Sequence, residues 1–200
     1  MSWENKYKSK LTTAEKAVEL IKSGNRVVIG HACAEPSYLV DAMVANAESY
    51  HDVEIVHMVA MGKAGYAQPG MESHFRHNAL FVGGTTRKAV AEGRGDYTPC
   101  FFYRIPSLFT NGSLPVDVAL VQATPPDENG NMSLGISIDY TLPAARAAKS
   151  VIVQVNHVTA ASMHQTQILP RSWSMMPRSL NSLRRRSAMW SAPSAQTAHP

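Results

Sequence analysis

The sequence predicts an α/β domain, a mostly parallel sheet with helices on both faces. Three observations predict it. Short runs of apolar, mostly β-branched residues without polar alternation, such as RVVIG at 26–30 and SVIVQV at 150–155, suit strands covered on both faces. Segments with helical apolar spacing lie between such runs, which is the signature of βαβ units. The pattern stops after Asn156, so the domain is expected at 1–156, followed by a Ser/Arg-rich tail at 157–200.

The elements follow in order. Thr12 and Glu15 have capping-box spacing before a helix AEKAVELIK, with Gly24 as its C-cap. Residues 26–30 form a strand, and Ser37 caps the helix YLVDAMVANA. VEIVHMV at 53–59 is the next strand, and 61–77 reads as a loop followed by a short helix. ALFV at 79–82 is a strand running into Gly83, Gly84, Thr85 and Thr86, which open the helix RKAVAEG. TPCFFY at 98–103 suits a strand and PSLFTNG a short helix ending at Gly112. VDVALVQA at 116–123 is a strong strand, 125–130 a loop, and MSLGISIDY a hairpin arm. LPAARAAK is helical, and 150–155 is the last strand.

Bulk properties narrow the function classes. A chain of 200 residues with 44% hydrophobic and 17% charged residues can bury a sizeable core in one or two domains. Its apolar runs fall short of the ~18 residues that span a bilayer, and the polar MSWENKYKSK start is not a secretion signal. Two cysteines, Cys33 and Cys100, are too few for a disulfide scaffold, so a reducing cytoplasm is expected. The net charge of +4 comes from the tail. Before Asn156 there are 14 lysines and arginines against 15 acidic residues, so the domain is nearly neutral.

The tail contains no Asp, Glu, Gly, Lys, Phe or Tyr. Such a composition does not readily offset the entropy of folding. Either the tail is a disordered cationic end, with at most a weak basic helix at 179–188, or the reading frame changes after codon 156. The abrupt loss of acidic residues and glycines favours the second. The Arg184-Arg185-Arg186 cluster has only Trp190 as an aromatic neighbour, so specific nucleic-acid binding is not expected.

In a doubly wound sheet ligands bind beyond the carboxyl ends of the strands. That rule selects the loops at 31–36, 60–65, 83–87 and 124–130. In the first, His31 and Glu35 can line a pocket or orient a polar substrate; a loop histidine and a carboxylate favoured by a helix dipole are the plainer alternative. Cys33 has no assignable base and is not expected to be a nucleophile. In the third, Gly83, Gly84 and Thr85 let backbone N–H groups approach an anion, and Arg87 adds a bidentate donor; the alternative is a tight strand-to-helix turn. Asp127 and Glu128 are expected to be solvated turn residues. The histidines, including His74 and His77, lack metal-site spacing, and Met58, Met61 and Met71 suit packing.

GHACAEP with YLVDAM, FVGGTTRKAVAEGRGDYTPCFF, DVALVQATPPDENGNMSLGISIDY and AAKSVIVQVN together resemble the acetyl-CoA hydrolase/transferase family, within it the 4-hydroxybutyrate CoA-transferase group. The resemblance runs almost continuously from Thr12 to Asn156. It implies a CoA-transferase-like N-terminal domain, with a second, similar domain and an active site between the two. The family's glutamate attacks an acyl-CoA thioester, giving an anhydride and then a glutamyl-CoA thioester, from which a second carboxylic acid takes the CoA. Backbone donors of a glycine-rich loop stabilise the oxyanion. The resemblance places both the glutamate and that loop in the C-terminal domain.

This chain has no glutamate after Glu128, so no catalytic residue is assigned to it and the isolated 200 residues are expected to be inactive. Its expected role is one wall of the acyl-CoA site, with His31, Glu35, Gly83, Gly84, Thr85 and Arg87 as substrate-binding candidates. Coenzyme A thioester is substrate rather than a permanent cofactor, and the expected partners are acyl-CoA, a short-chain carboxylate, and a C-terminal domain or second subunit. The intact family is expected to form homo-oligomers, without membrane association. A non-catalytic acyl-CoA or carboxylate binding module and an acetyl-CoA hydrolase fragment are the alternatives.

Overall fold

The computed structural model describes residues 3–157, together with the backbones of Gln167–Ile168 and Trp173–Pro177. In chain order the helices are α1 (Trp3–Lys10), α2 (Ala14–Val18), α3 (Ser37–Ala45), α4 (Arg87–Ala91), α5 (Ile105–Thr110) and α6 (Thr141–Ala147). The strands are β1 (Arg26–Ile29), β2 (Val53–His57), β3 (Phe75–Ala79), β4 (Gly95–Tyr97), β5 (Val118–Ala123), β6 (Met132–Ser133), β7 (Ser150–Val155), β8 (Gln167–Ile168) and β9 (Trp173–Pro177).

Six parallel strands form the sheet in the order β4-β3-β2-β1-β5-β7, and the β9 backbone extends it beside β7. Strands without alternation bury both faces. Val27 and Ile29 of β1 meet Leu120 of β5, Ile152 of β7 and the apolar faces of α2 and α3. Val28, Val121 and Val153 point the other way, into a second cluster with α5 and α6. Fully burying one such side chain contributes about 1.5–3 kcal/mol, so the two layers are the main source of stability.

Several local expectations shift. The cap of α2 is Thr13 rather than Thr12, its hydroxyl accepting from the Lys16 amide at 3.4 Å. The helix stops at Val18, and Gly24, at φ +75°, serves a later turn. The third strand is FRHNA, four residues earlier than ALFV, because its polar residues are absorbed by neighbours. Asn78 Nδ2 donates to Glu54 at 2.8 Å, and Arg76 pairs with Asp96. No helix forms between 61 and 77 beyond a 3-10 turn at Gly65–Ala67. The next strand is Gly95–Tyr97, where a β-carbon on Gly95 would crowd the His77 carbonyl at 3.0 Å. Phe102–Arg104 is a 3-10 turn, so 98–103 is not a strand. Only Met132–Ser133 of the hairpin arm is extended, pairing antiparallel with Gln167–Ile168.

Helix α1 has no apolar stripe and no buried residue, which explains why the sequence did not announce it. It is tied down by Trp3, whose indole N–H donates to the Glu128 carbonyl at 2.9 Å. The tail expectations fall outside the described residues, apart from the two strand backbones at Gln167–Ile168 and Trp173–Pro177. There the residue pattern carried no strand signal; the open edge of β7 supplies the pairing for Trp173–Pro177, and Met132–Ser133 supplies it for Gln167–Ile168.

Candidate functional site

The chain runs from β1 to β2 on one side, while β5 packs on the other side of β1. The loops leaving β1 and β5 therefore diverge, which opens a crevice at the carboxyl ends of the strands. A cleft of about 450 Å³ lies there, lined by Cys33, Glu35, Tyr38, Met61, Gly62, Lys63, Gln122, Gln154 and Asn156 among others. Of the predicted candidates, Glu35 lines it.

Glu35 is 7% exposed. Its Oε2 accepts the Met61 amide at 2.6 Å and the Gly62 amide at 2.9 Å. Burial pushes its carboxyl pKa up, against the pull of these two backbone donors. A β-carbon on Gly62 would collide with the Glu35 carboxylate, so a glycine is needed for the close approach. One side chain thereby ties the loop after β1 to the loop after β2.

His31 is buried and engaged elsewhere. Its Nε2 lies 2.9 and 2.8 Å from the two oxygens of Asp139, and its ring packs on Tyr140 at 4.7 Å. Burial raises the Asp139 pKa, but the His31 hydrogen bond and charge and the Tyr140 amide outweigh it and hold the carboxyl low. Tyr140 is fully buried and donates its hydroxyl proton to the Ile29 carbonyl at 2.6 Å. His31 thus anchors the loop after β1 to the start of α6.

The floor of the cleft is a pair of carboxamides. Gln122 and Gln154 are opposite residues on β5 and β7, on the face covered by α3. Gln154 Nε2 donates to Gln122 Oε1 at 3.0 Å. Gln154 Oε1 accepts the amides of Tyr38 and Leu39 at 3.1 and 3.4 Å. The first turn of α3 is therefore capped by a distant side chain rather than by Ser37, whose hydroxyl donates to the Glu35 carbonyl at 3.4 Å.

The 83–87 turn does not line this cleft. The Gly83 amide donates to Phe81, the Arg87 amide donates to Gly83, and the Arg87 side chain is exposed. Thr85 connects the turn to the cleft's rim, donating its hydroxyl proton to the Ala60 carbonyl at 3.2 Å. Gly84 is exposed, with open space where a β-carbon would stand. In the loop after β5, the Asp127 carboxylate accepts the Asn131 and Asn129 amides at 2.8 and 2.9 Å, which hold its pKa low. That is a turn-forming role.

The comparisons with known proteins decide the family. The pattern described as the acetyl-CoA hydrolase/transferase N-terminal domain matches residues 1–167. The chain belongs to the acetyl-CoA hydrolase/transferase family. It is 61% identical over 156 residues to the 4-hydroxybutyrate coenzyme A transferase of Clostridium kluyveri, covering 78% of this chain and 36% of that protein. It is 37% identical over 147 residues to the succinyl-CoA:acetate/propanoyl-CoA:succinate CoA transferase of Fasciola hepatica, covering 72% of this chain and 30% of that one. A crystal structure of the 4-hydroxybutyrate CoA-transferase of Porphyromonas gingivalis superposes with a TM-score of 0.74 at 30% identity, over 88% of this chain and 41% of that one. RipA from Yersinia pestis, at 24% identity and a TM-score of 0.83, shares the fold. The chain spans about a third of the length of the curated relatives it matches, 36% and 30% of the two above.

In this acetyl-CoA hydrolase/transferase N-terminal domain, sequence reasoning missed Asp139, Gln154 and the Met61–Gly62 backbone. Gln154 did carry a signal: a glutamine stands at the same place in VALVQA and SVIVQV, a polar residue inside each of two buried strands. Among the described residues, no three His, Cys, Asp or Glu side chains gather into a metal-ligand set. No helix among them is long and apolar enough to cross a membrane.

Proposed function

We propose that this chain forms one wall of the acyl-CoA site in an acyl-CoA:carboxylate CoA-transferase of the 4-hydroxybutyrate, acetate or butyrate type. The observation that carries the reading is the cleft at the switch point, built around Glu35, Met61–Gly62 and Gln122, in a chain 61% identical to a 4-hydroxybutyrate coenzyme A transferase. The nucleophilic glutamate that the family resemblance implies is assigned to a second domain, outside the 36% of the Clostridium kluyveri relative that this chain matches. This domain supplies recognition. Glu35 holds two loops in register, and His31 with Asp139 fixes the strand-to-loop exit of β1. Gly83, Gly84, Thr85 and the exposed Arg87 side chain belong to a second region of the wall, beyond β3, where the CoA moiety or the substrate carboxylate can reach them.

CoA thioester and a short-chain carboxylate are substrates, and no permanently bound cofactor is required. The second domain docks against the exposed rings of Phe101, Phe102 and Tyr103, which stand 75%, 50% and 72% exposed. The two cysteines are free thiols, which suits a cytoplasmic enzyme.

The test is CoA transfer from acetyl-CoA to butyrate by the purified 200 residues. No turnover is expected. Clear turnover that Glu35→Gln abolishes places the chemistry on this domain and overturns the reading.

A further inference from the structure

The orientation of the two floor carboxamides is set from outside the cleft. The Tyr38 and Leu39 amides are donors, so the Gln154 atom they meet must be its oxygen. Gln154 then has only its NH₂ to turn toward Gln122, so the atom of Gln122 that faces Gln154 must be the oxygen. The Gln122 NH₂ is left on the cleft side. Gln122 is 6% exposed and lines the cleft; among the described residues its hydrogen bond is the one its oxygen accepts from Gln154, and its Nε2 is not among the buried atoms left unsatisfied, so that NH₂ is open to the cleft.

A donor open at the floor of a polar cleft is placed to meet an acceptor on a ligand. The charge nearby selects its kind. The cleft holds Glu35 and Asp41 against Lys63, whose Nζ lies 3.4 Å from Asp41. The balance is one net negative charge, which disfavours a carboxylate and leaves a neutral carbonyl oxygen.

We propose that Gln122 is a substrate-binding residue whose Nε2 donates to a neutral carbonyl oxygen of the CoA thioester, with Gln154 as the positioning residue that fixes its direction. This rests on the acyl-CoA reading above. The oxygen belongs either to the thioester or to an amide of the pantetheine arm.

The test is NMR titration of the ¹⁵N-labelled 200-residue chain with butyryl-CoA, free CoA and butyrate, read at the Gln122 side-chain amide and at the Met61 and Gly62 backbone amides. The Gln122 Nε2 resonance is expected to shift saturably with butyryl-CoA. A shift with butyryl-CoA alone assigns the thioester oxygen, and an equal shift with free CoA assigns the pantetheine amide. Gln122→Glu puts an acceptor in the cleft. Gln154→Glu keeps an oxygen for α3 but makes Gln122 flip, so it reverses the same cleft atom without touching ligand. Both are expected to weaken butyryl-CoA binding about tenfold or more; each also puts a carboxylate at a nearly buried position, so a lower urea midpoint is expected beside it, and a ¹⁵N spectrum unchanged away from the cleft shows that the fold is kept.

If Met61 and Gly62 shift while Gln122 does not, or if both variants bind butyryl-CoA as the unaltered chain does, this inference fails and the acyl-CoA reading stands. A response of Gln122 to butyrate alone overturns the neutral-carbonyl assignment. No response anywhere in the cleft overturns both readings together.

Discussion

Glu35 Oε2 accepts the Gly62 amide at 2.9 Å, across 27 residues of chain, and so joins the loops that leave β1 and β2. The same contact leaves no room for a β-carbon at Gly62 unless the Glu35 carboxylate moves. Gly62→Ala puts a methyl group against the carboxylate, and such overpacking costs about 1–3 kcal/mol. Glu35→Ala leaves the Met61 and Gly62 amides without their acceptor, at about 1–3 kcal/mol for each amide that stays buried. Urea unfolding of the two variants checks both values, and Glu35→Gln, which keeps one acceptor oxygen, is expected to lose less.

Tyr140→Phe is expected to destabilise the domain by about 1–3 kcal/mol without altering its fold. The hydroxyl lost donates to the Ile29 carbonyl at 2.6 Å and accepts from the Met58 amide at 3.4 Å, both beside a fully buried ring. The phenyl ring retains the packing against His31. A lower urea midpoint with an unchanged m-value is the expected result.

Acid is expected to weaken the domain through its buried histidines. Burial, with neighbouring His77 and His31, lowers His57 to about 3; burial also lowers His77 to about 4, against the Ile55 carbonyl and Asp96. An unfolded histidine titrates near 6.5. Both groups are therefore neutral in the folded chain where the unfolded chain binds protons. The stability they contribute is present above about pH 6.5 and is lost as pH falls toward about 4, at about 1.4 kcal/mol per pH unit for each histidine within that window. Glu35, whose pKa is raised, acts in the opposite direction. Stability measured from pH 4.5 to 7.5 should rise with pH, and His57→Phe should flatten the slope even though it removes the 2.7 Å bond to Tyr66.

The exposed ring segment predicts self-association of the isolated chain. Phe101 and Tyr103 stack at 5.9 Å in solvent, beside an exposed Phe102. Light scattering should show association that grows with concentration, and Phe101→Ser with Tyr103→Ser should reduce it. A monodisperse monomer removes the docking role assigned to these rings.

The composition change after Asn156 predicts that the coding DNA, read in another frame past codon 156, continues as acidic, glycine-containing βα units with a glutamate before a glycine-rich turn. Sequencing that stretch decides between a shifted frame and a genuine tail.

Residues 26–29, 53–57, 118–123 and 150–155 were legible as strands because burial on two faces demands unbroken apolar runs, and that demand is written residue by residue. Phe75–Ala79 was not, because its Arg76, His77 and Asn78 are compensated by partners from other strands. The same division runs through the site. Sequence alone determined the α/β class and the family, since periodicity and local motifs carry them. Only the tertiary structure decided that Glu35 closes on Gly62, that His31 turns to Asp139 and that Gln154 aims Gln122 into the cleft. Each of those contacts joins residues 27 or more positions apart, and a hydrogen bond across that distance exists only once the sheet has brought its ends together.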